Sequence, residues 1–112
     1  MMMSDCKITT PEIVVLCGST RFYNEFEKQN LRLTLEGKIV LSIGIVTSSD
    51  LDLGISEEDK NMLDELHKRK IDLADRVFIL NKDGYVGEST RSEIDYAQLL
   101  GKPIDYLEEE SA

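Results

Sequence analysis

Short apolar runs alternate along the chain with longer stretches in which apolar residues recur every three or four positions. Ile13-Val14-Val15-Leu16-Cys17 is unbroken and rich in β-branched residues, which fits a central strand ending in the tight turn Gly18-Ser19-Thr20. A helix is expected from near Arg21, capped by Ser19 or Thr20, with Phe22, Phe26 and Leu33 inward and Gly37 as a left-handed stop. Lys38 to Ile43 reads as the second strand, and the polar stretch Thr47 to Gly54 is a candidate lid or ligand loop. Ser56-Glu57-Glu58-Asp59 opens the longest helix, expected to reach Leu73. Its acidic start and later Lys68-Arg69-Lys70 suit the helix dipole, and Leu63, His67, Ile71 and Ala74 share one face. Arg76 to Asn81 is a third strand, about Thr90 to Leu100 a third helix ended by Gly101, and Pro103 to Leu107 a last short strand. Glu108-Glu109-Glu110 reads as a solvated tail.

This β-α-β-α-β-α-β order has no repeat, linker or low-complexity segment, so one domain is expected over residues 1–112, with an ordered core at about 11–108. Right-handed crossovers turn it into an α/β fold: a single doubly wound, flavodoxin- or Rossmann-like parallel sheet of about four to five strands. A strand order of 2-1-3-4 would put the ligand crevice between the first and third strands, at their carboxyl ends. Two loops meet there, Gly18-Ser19-Thr20-Arg21 and Asp83 to Thr90.

Composition narrows the function. A formal net charge of −9 argues against partners that are nucleic acid polymers, although a small anionic ligand can still find a locally positive site. Cys6 and Cys17 are badly placed for a disulfide, which favours a reducing, cytoplasmic setting. No apolar run has the length of a membrane span, so no membrane partner is expected. With one histidine and poorly spaced cysteines, no metal and no cofactor are expected. Dinucleotide and P-loop glycine signatures are absent, as is a Gly-x-Ser-x-Gly elbow. Cys17 and Arg21 have only three residues between them, too few to wrap a phosphate around a thiol, so Cys17 reads as a packed strand residue.

The chemistry-bearing stretch runs from Gly84 to Ala97. Glu93 follows Thr90 by three residues and has two readings: a capping box with Thr90, or a carboxylate aimed into the crevice from a stripe shared with Ala97 and Leu100. Gly18, Ser19, Thr20 and Arg21 suit a ligand loop, through close backbone approach, free helix-start amides and a guanidinium fork. Tyr85 could cover a ligand, while Gly87, Ser89 and Thr90 offer amides and hydroxyls at the third helix start. His67 on its apolar stripe reads either as a satisfied, half-buried histidine or as a catalyst. Asp75 reads as structural.

Cys17-Gly18-Ser19-Thr20-Arg21, Ala74-Asp75, and Glu93-Ile94-Asp95-Tyr96-Ala97 followed by Gly101-Lys102-Pro103-Ile104 resemble the nucleoside 2-deoxyribosyltransferase-like superfamily. Its small 2′-deoxynucleoside 5′-phosphate N-hydrolases and CMP N-glycosidases are the nearest in size, and the likeness runs from about Ile13 to Leu107. The resemblance implies an enzyme cleaving an N-glycosidic bond of a nucleoside or nucleotide, with Glu93 as nucleophile and Gly18, Ser19 and Arg21 in nucleotide binding. It also implies a homodimer or higher assembly. The chain departs from the N-hydrolases at Val15, where they have a tyrosine, and at His67, where they have an aspartate; Asp64 lies one turn earlier. The family's phosphate-binding serine, lent by a neighbouring subunit, falls beyond where this chain stops. Asp64, His67 or the Thr47–Gly54 loop would then supply the general acid. The alternative is a non-catalytic sensor of nucleotide-derived ligands, similar to the SLOG group.

Overall fold

The computed structural model describes residues 10–43 and 56–108; the expected lid at Thr47–Gly54, Cys6 and the last two glutamates of the tail lie outside them. Four strands and three helices alternate: β1 (Ile13–Cys17), α1 (Tyr23–Leu35), β2 (Ile39–Leu41), α2 (Glu57–Leu73), β3 (Arg76–Ile79), α3 (Glu88–Leu99) and β4 (Ile104–Tyr106). The strands form one parallel sheet in the order β2-β1-β3-β4. This is the doubly wound α/β fold that the alternating pattern predicts.

The direction of each crossover decides which face its helix covers. The chain steps one way from β1 to β2, then back across β1 to β3 and onward to β4. Right-handed connections therefore put α1 on one face and α2 with α3 on the other. Strand parity follows suit. Val14, Leu16, Phe78 and Leu80 pack with Phe26 and Leu33 of α1. Val15, Cys17, Val77 and Ile79 pack with Ile71, Ala74, Ile94 and Ala97 from the α2–α3 side. Burial on both faces explains why β1 is apolar at every position rather than alternating.

Local chemistry sets the element ends, and several differ from expectation. After β1 the chain makes a 3-10 turn over Thr20–Phe22, so α1 begins at Tyr23. The Ser19 hydroxyl accepts from the Arg21 amide at 3.2 Å, as a cap for that turn. Phe22 is only half-buried. Gly37, at φ 89°, stops α1 in the left-handed region, where a side chain would be strained. Ser56 caps α2 by accepting from the Asp59 amide at 3.0 Å.

The largest local correction concerns α3. It starts at Glu88 with an extended Gly87 as N-cap and no side-chain cap, and the Arg91 amide donates to the Gly87 carbonyl at 2.9 Å. Thr90 is already inside the first turn, so the capping box with Glu93 does not form. Leu100 is the helix's C-cap and is 42% exposed, not part of the packing stripe. Glu108 is not a free tail residue. Its amide donates to Asn81 Oδ1, its carbonyl accepts from Asn81 Nδ2, and its carboxylate accepts from the Asp83 amide. Asp75 is structural as expected, accepting from the Ile13 amide at 2.9 Å.

Candidate functional site

With α1 on one face and α3 on the other, the crossovers leaving β1 and β3 part between these two adjacent strands, at their carboxyl ends. Glu93 stands there. It belongs to the inward stripe of α3 with Thr90, Ile94 and Ala97, and only 7% of its surface is exposed. Cys17, the last residue of β1, is wholly buried, and His67 on α2 is nearly so. The ligating atoms of Cys17, His67 and Glu93 all lie within 4.8 Å of one another. Three residues from β1, α2 and α3, far apart in sequence, thus converge because odd-numbered β1 side chains face the helices that carry the other two.

The neighbours of His67 fix its ring proton. Its Nε2 lies 3.0 Å from the Leu16 carbonyl and 3.4 Å from Cys17 Sγ. A carbonyl oxygen only accepts, so this network assigns the ring hydrogen to Nε2. Burial drives the imidazole pKa from 6.5 to about 4, with Lys70 adding to the fall and the Leu16 carbonyl and Asp64 opposing it. His67 is therefore neutral around pH 7. Burial likewise raises the Cys17 thiol well above its ordinary 9.0, and the charge and hydrogen bond of Glu93 push the same way.

Glu93 is the group poised near neutrality. Burial lifts its carboxyl from 4.5 to about 7; the Cys17 hydrogen bond and Lys68 pull it down, while Asp64 pushes it up. Asp64 is half-buried, and its charge acts on both His67 and Glu93. Cysteine, histidine and glutamate also make a nominal metal donor set. With hydrogen on Nε2 the imidazole lone pair lies on Nδ1, so an ion bound through Nε2 would have to displace the Leu16 contact.

The two loops expected to meet do so through side chains. The Arg21 guanidinium lies over the Tyr85 ring at 3.9 Å from its centroid and donates to Tyr85 Oη at 3.3 Å. Phe22 meets the same ring edge-on, with centroids 5.9 Å apart. The expected anion fork is thus held by an aromatic partner from the β3–α3 loop. Gly18 serves close packing: a Cβ there would sit 3.0 Å from Leu80 Cβ and 3.1 Å from the Leu80 carbonyl oxygen. A Cβ on Gly87 would meet Tyr85 Oη at 3.2 Å. Thr90 is buried, whereas Ser19, Thr20 and Ser89 are half-buried.

A groove of about 620 Å³ lies on the other side of the sheet, beside α1, and Glu93 is not among its walls. The charges lining it are largely paired, Arg76 with Glu12 and Asp105, and Lys38 with Glu12.

Sequence reasoning missed Cys17 as a neighbour of Glu93. Strand parity was the available signal, since Cys17 shares its face with Val15 and therefore with His67 and Glu93. It also missed the role of Tyr96, whose hydroxyl donates to Asp72 Oδ1 at 2.6 Å and accepts from Arg69 Nη2 at 2.8 Å, tying α3 to α2. No family model, no curated protein and no solved structure matches this chain. No helix among the described residues is long and apolar enough to cross a membrane.

Proposed function

We propose that this protein cleaves the N-glycosidic bond of a nucleoside or nucleotide, with Glu93 as nucleophile. The observation carrying the proposal is the inward burial of that one carboxylate at the parting of the β1 and β3 crossovers, 7% exposed and with its pKa raised to about 7. In its ionised form Glu93 attacks the anomeric carbon as positive charge develops there. The C–N bond breaks, its electron pair leaves with the base, and a glycosyl ester forms on the carboxylate. Water, or a second base, then takes the sugar and frees the carboxylate.

The leaving base needs a proton. His67 is poorly suited to give one, because it is neutral and its Nε2–H is directed to Leu16. Asp64, half-buried on α2, is the remaining candidate among the described residues, relaying a proton from water to the base. The loop containing Gly18, Ser19 and Arg21, closed by Tyr85, supports binding of the sugar or a 5′-phosphate. The small-molecule partner is therefore a nucleoside or its monophosphate.

The test is base release from a panel of nucleosides and 5′-monophosphates, followed by chromatography. Release should appear for at least one compound and fall by a factor of about a thousand or more in Glu93→Ala, as for loss of a covalent nucleophile. Release that persists unchanged in Glu93→Ala would sink the mechanism. Tight binding by calorimetry with no release from any compound would favour the sensor reading instead.

A further inference from the structure

We infer that Cys17 is a positioning residue for Glu93, its thiol donating a hydrogen bond that holds the carboxylate in the ionised, attacking form. This rests on the nucleophile reading above for its consequence in catalysis, while the hydrogen bond itself is argued from the closeness of the three groups and the count of their protons. Proton bookkeeping within the buried cluster leaves one arrangement. The Leu16 carbonyl accepts from His67 Nε2–H, so Nε2 cannot accept from the thiol lying 3.4 Å away. Cys17 Sγ sits on the donor side of that imidazole and can only receive from it. The S–H hydrogen must turn elsewhere, and the Glu93 carboxylate, with an oxygen within 4.8 Å of Sγ, is the acceptor the cluster offers. A chain of donors results, from imidazole to sulfur to carboxylate.

Such a role also explains why a cysteine ends β1. A serine there would be better hydrated before folding, and an alanine would leave the carboxylate without its buried donor. The surroundings offer little else to hold the charge. From α2 the carboxylate feels the favourable charge of Lys68 and the unfavourable one of Asp64; His67 is neutral; from β1 it meets the Cys17 thiol. Burial keeps that thiol protonated, so it remains a donor over the whole range in which Glu93 titrates.

The experiment reads Glu93 and the thiol directly, without relying on turnover. Protein carrying carbon-13 at the glutamate carboxyl groups is titrated by NMR as wild type, Cys17→Ala and Cys17→Ser, with Glu93→Gln used to assign the signal. A hydrogen bond to a charged acceptor is worth enough to move the midpoint, so Cys17→Ala should raise it by about one to two pH units. Cys17→Ser, which keeps a donor, should bring it back to within about half a unit of wild type. As a check needing no cysteine variant, infrared spectra of wild type should show the Cys17 S–H stretch moving to lower frequency as Glu93 ionises, and Glu93→Gln should abolish that movement. If a substrate is found, the acidic limb of its kcat/KM profile should move with the NMR midpoint while KM stays within about twofold. A midpoint in Cys17→Ala that stays put or falls, or an S–H band indifferent to Glu93 ionisation, overturns the inference. Absence of turnover alone would count against the proposed function and leave these two readouts to decide the role of Cys17.

Discussion

Glu93 and His67 should conceal each other's pH dependence, and substituting either one should expose it. Burial raises the carboxyl from 4.5 to about 7 and lowers the imidazole from 6.5 to about 4. At ~1.4 kcal/mol per unit, each shift corresponds to about 3 kcal/mol of pH-linked stability, as an order of magnitude. The signs oppose. Between pH 4.5 and 7 the folded protein holds the Glu93 proton more tightly than the unfolded chain does, so stability falls as pH rises. Between pH 4 and 6.5 the unfolded chain protonates His67 while the folded protein does not, so stability rises with pH. Over their common window, pH 4.5 to 6.5, the two slopes nearly cancel.

Urea unfolding of wild type, Glu93→Gln and His67→Gln at half-unit steps from pH 4.5 to 7.5 tests this. Glutamine keeps the size of Glu93 and, at position 67, keeps a side-chain N–H for the Leu16 carbonyl. Glu93→Gln should gain about 2–3 kcal/mol between pH 4.5 and 6.5, and His67→Gln should lose a similar amount between pH 4.5 and 7. Wild type should change by less than about 1 kcal/mol from this pair over the shared window. Glu12, whose carboxyl is held below its ordinary value by hydrogen bonds from Lys38 and Arg76, acts at more acid pH and leaves the window clear. Variant profiles running parallel to wild type would refute the reasoning, because the cluster would then not be discriminating against charge.

Two further outcomes concern the frame around the site. Gly18→Ala should cost about 1–3 kcal/mol by urea midpoint, because its Cβ would press on both Leu80 Cβ and the Leu80 carbonyl across β1 and β3. Asn81→Ala should cost about 1–3 kcal/mol in the same assay and release the chain at Glu108 to faster amide exchange, since Asn81 is buried and answers both backbone groups of Glu108.

Those two positions also mark the limit of what the chain discloses by itself. Strands and helix faces were legible because their signals are local: Phe26 and Leu33, or Ile71 and Ala74, recur at helical spacing, and β1 is apolar throughout. The 2-1-3-4 order is a common arrangement for an alternating chain and was posited as such, and the handedness of crossovers then assigned each helix to its face. The start of α3 was misread because Ser89 and Thr90 are good caps, whereas an extended Gly87 already supplies the first helical carbonyl and draws both hydroxyls inside the first turn. Glu108 was misread because its partner Asn81 is distant in sequence. In the candidate site, the inward direction of Glu93 could be read from Ala97 on the same stripe. The ionisation states could not, because they sum desolvation over three separate elements.

Placing a glutamate where α3 meets β1 is costly to a fold of this size. An apolar side chain at position 93 would face Cys17 without a desolvation penalty, whereas the carboxylate is opposed by burial strongly enough to titrate near neutral pH. The neighbours do not neutralise it as a structural ion pair would. His67 stays uncharged with its hydrogen on Leu16, Cys17 keeps its proton, and Lys68 and Asp64 pull in opposite directions. Of the three buried groups, Glu93 alone changes charge around pH 7. A ligand seated at the crossover point would therefore meet one negative charge in a weakly polar surrounding, where its attraction for a developing cation is least screened by water. Consistency between levels breaks at this one buried residue, and a local rule broken at a topological switch point is where a sequence carries function rather than fold.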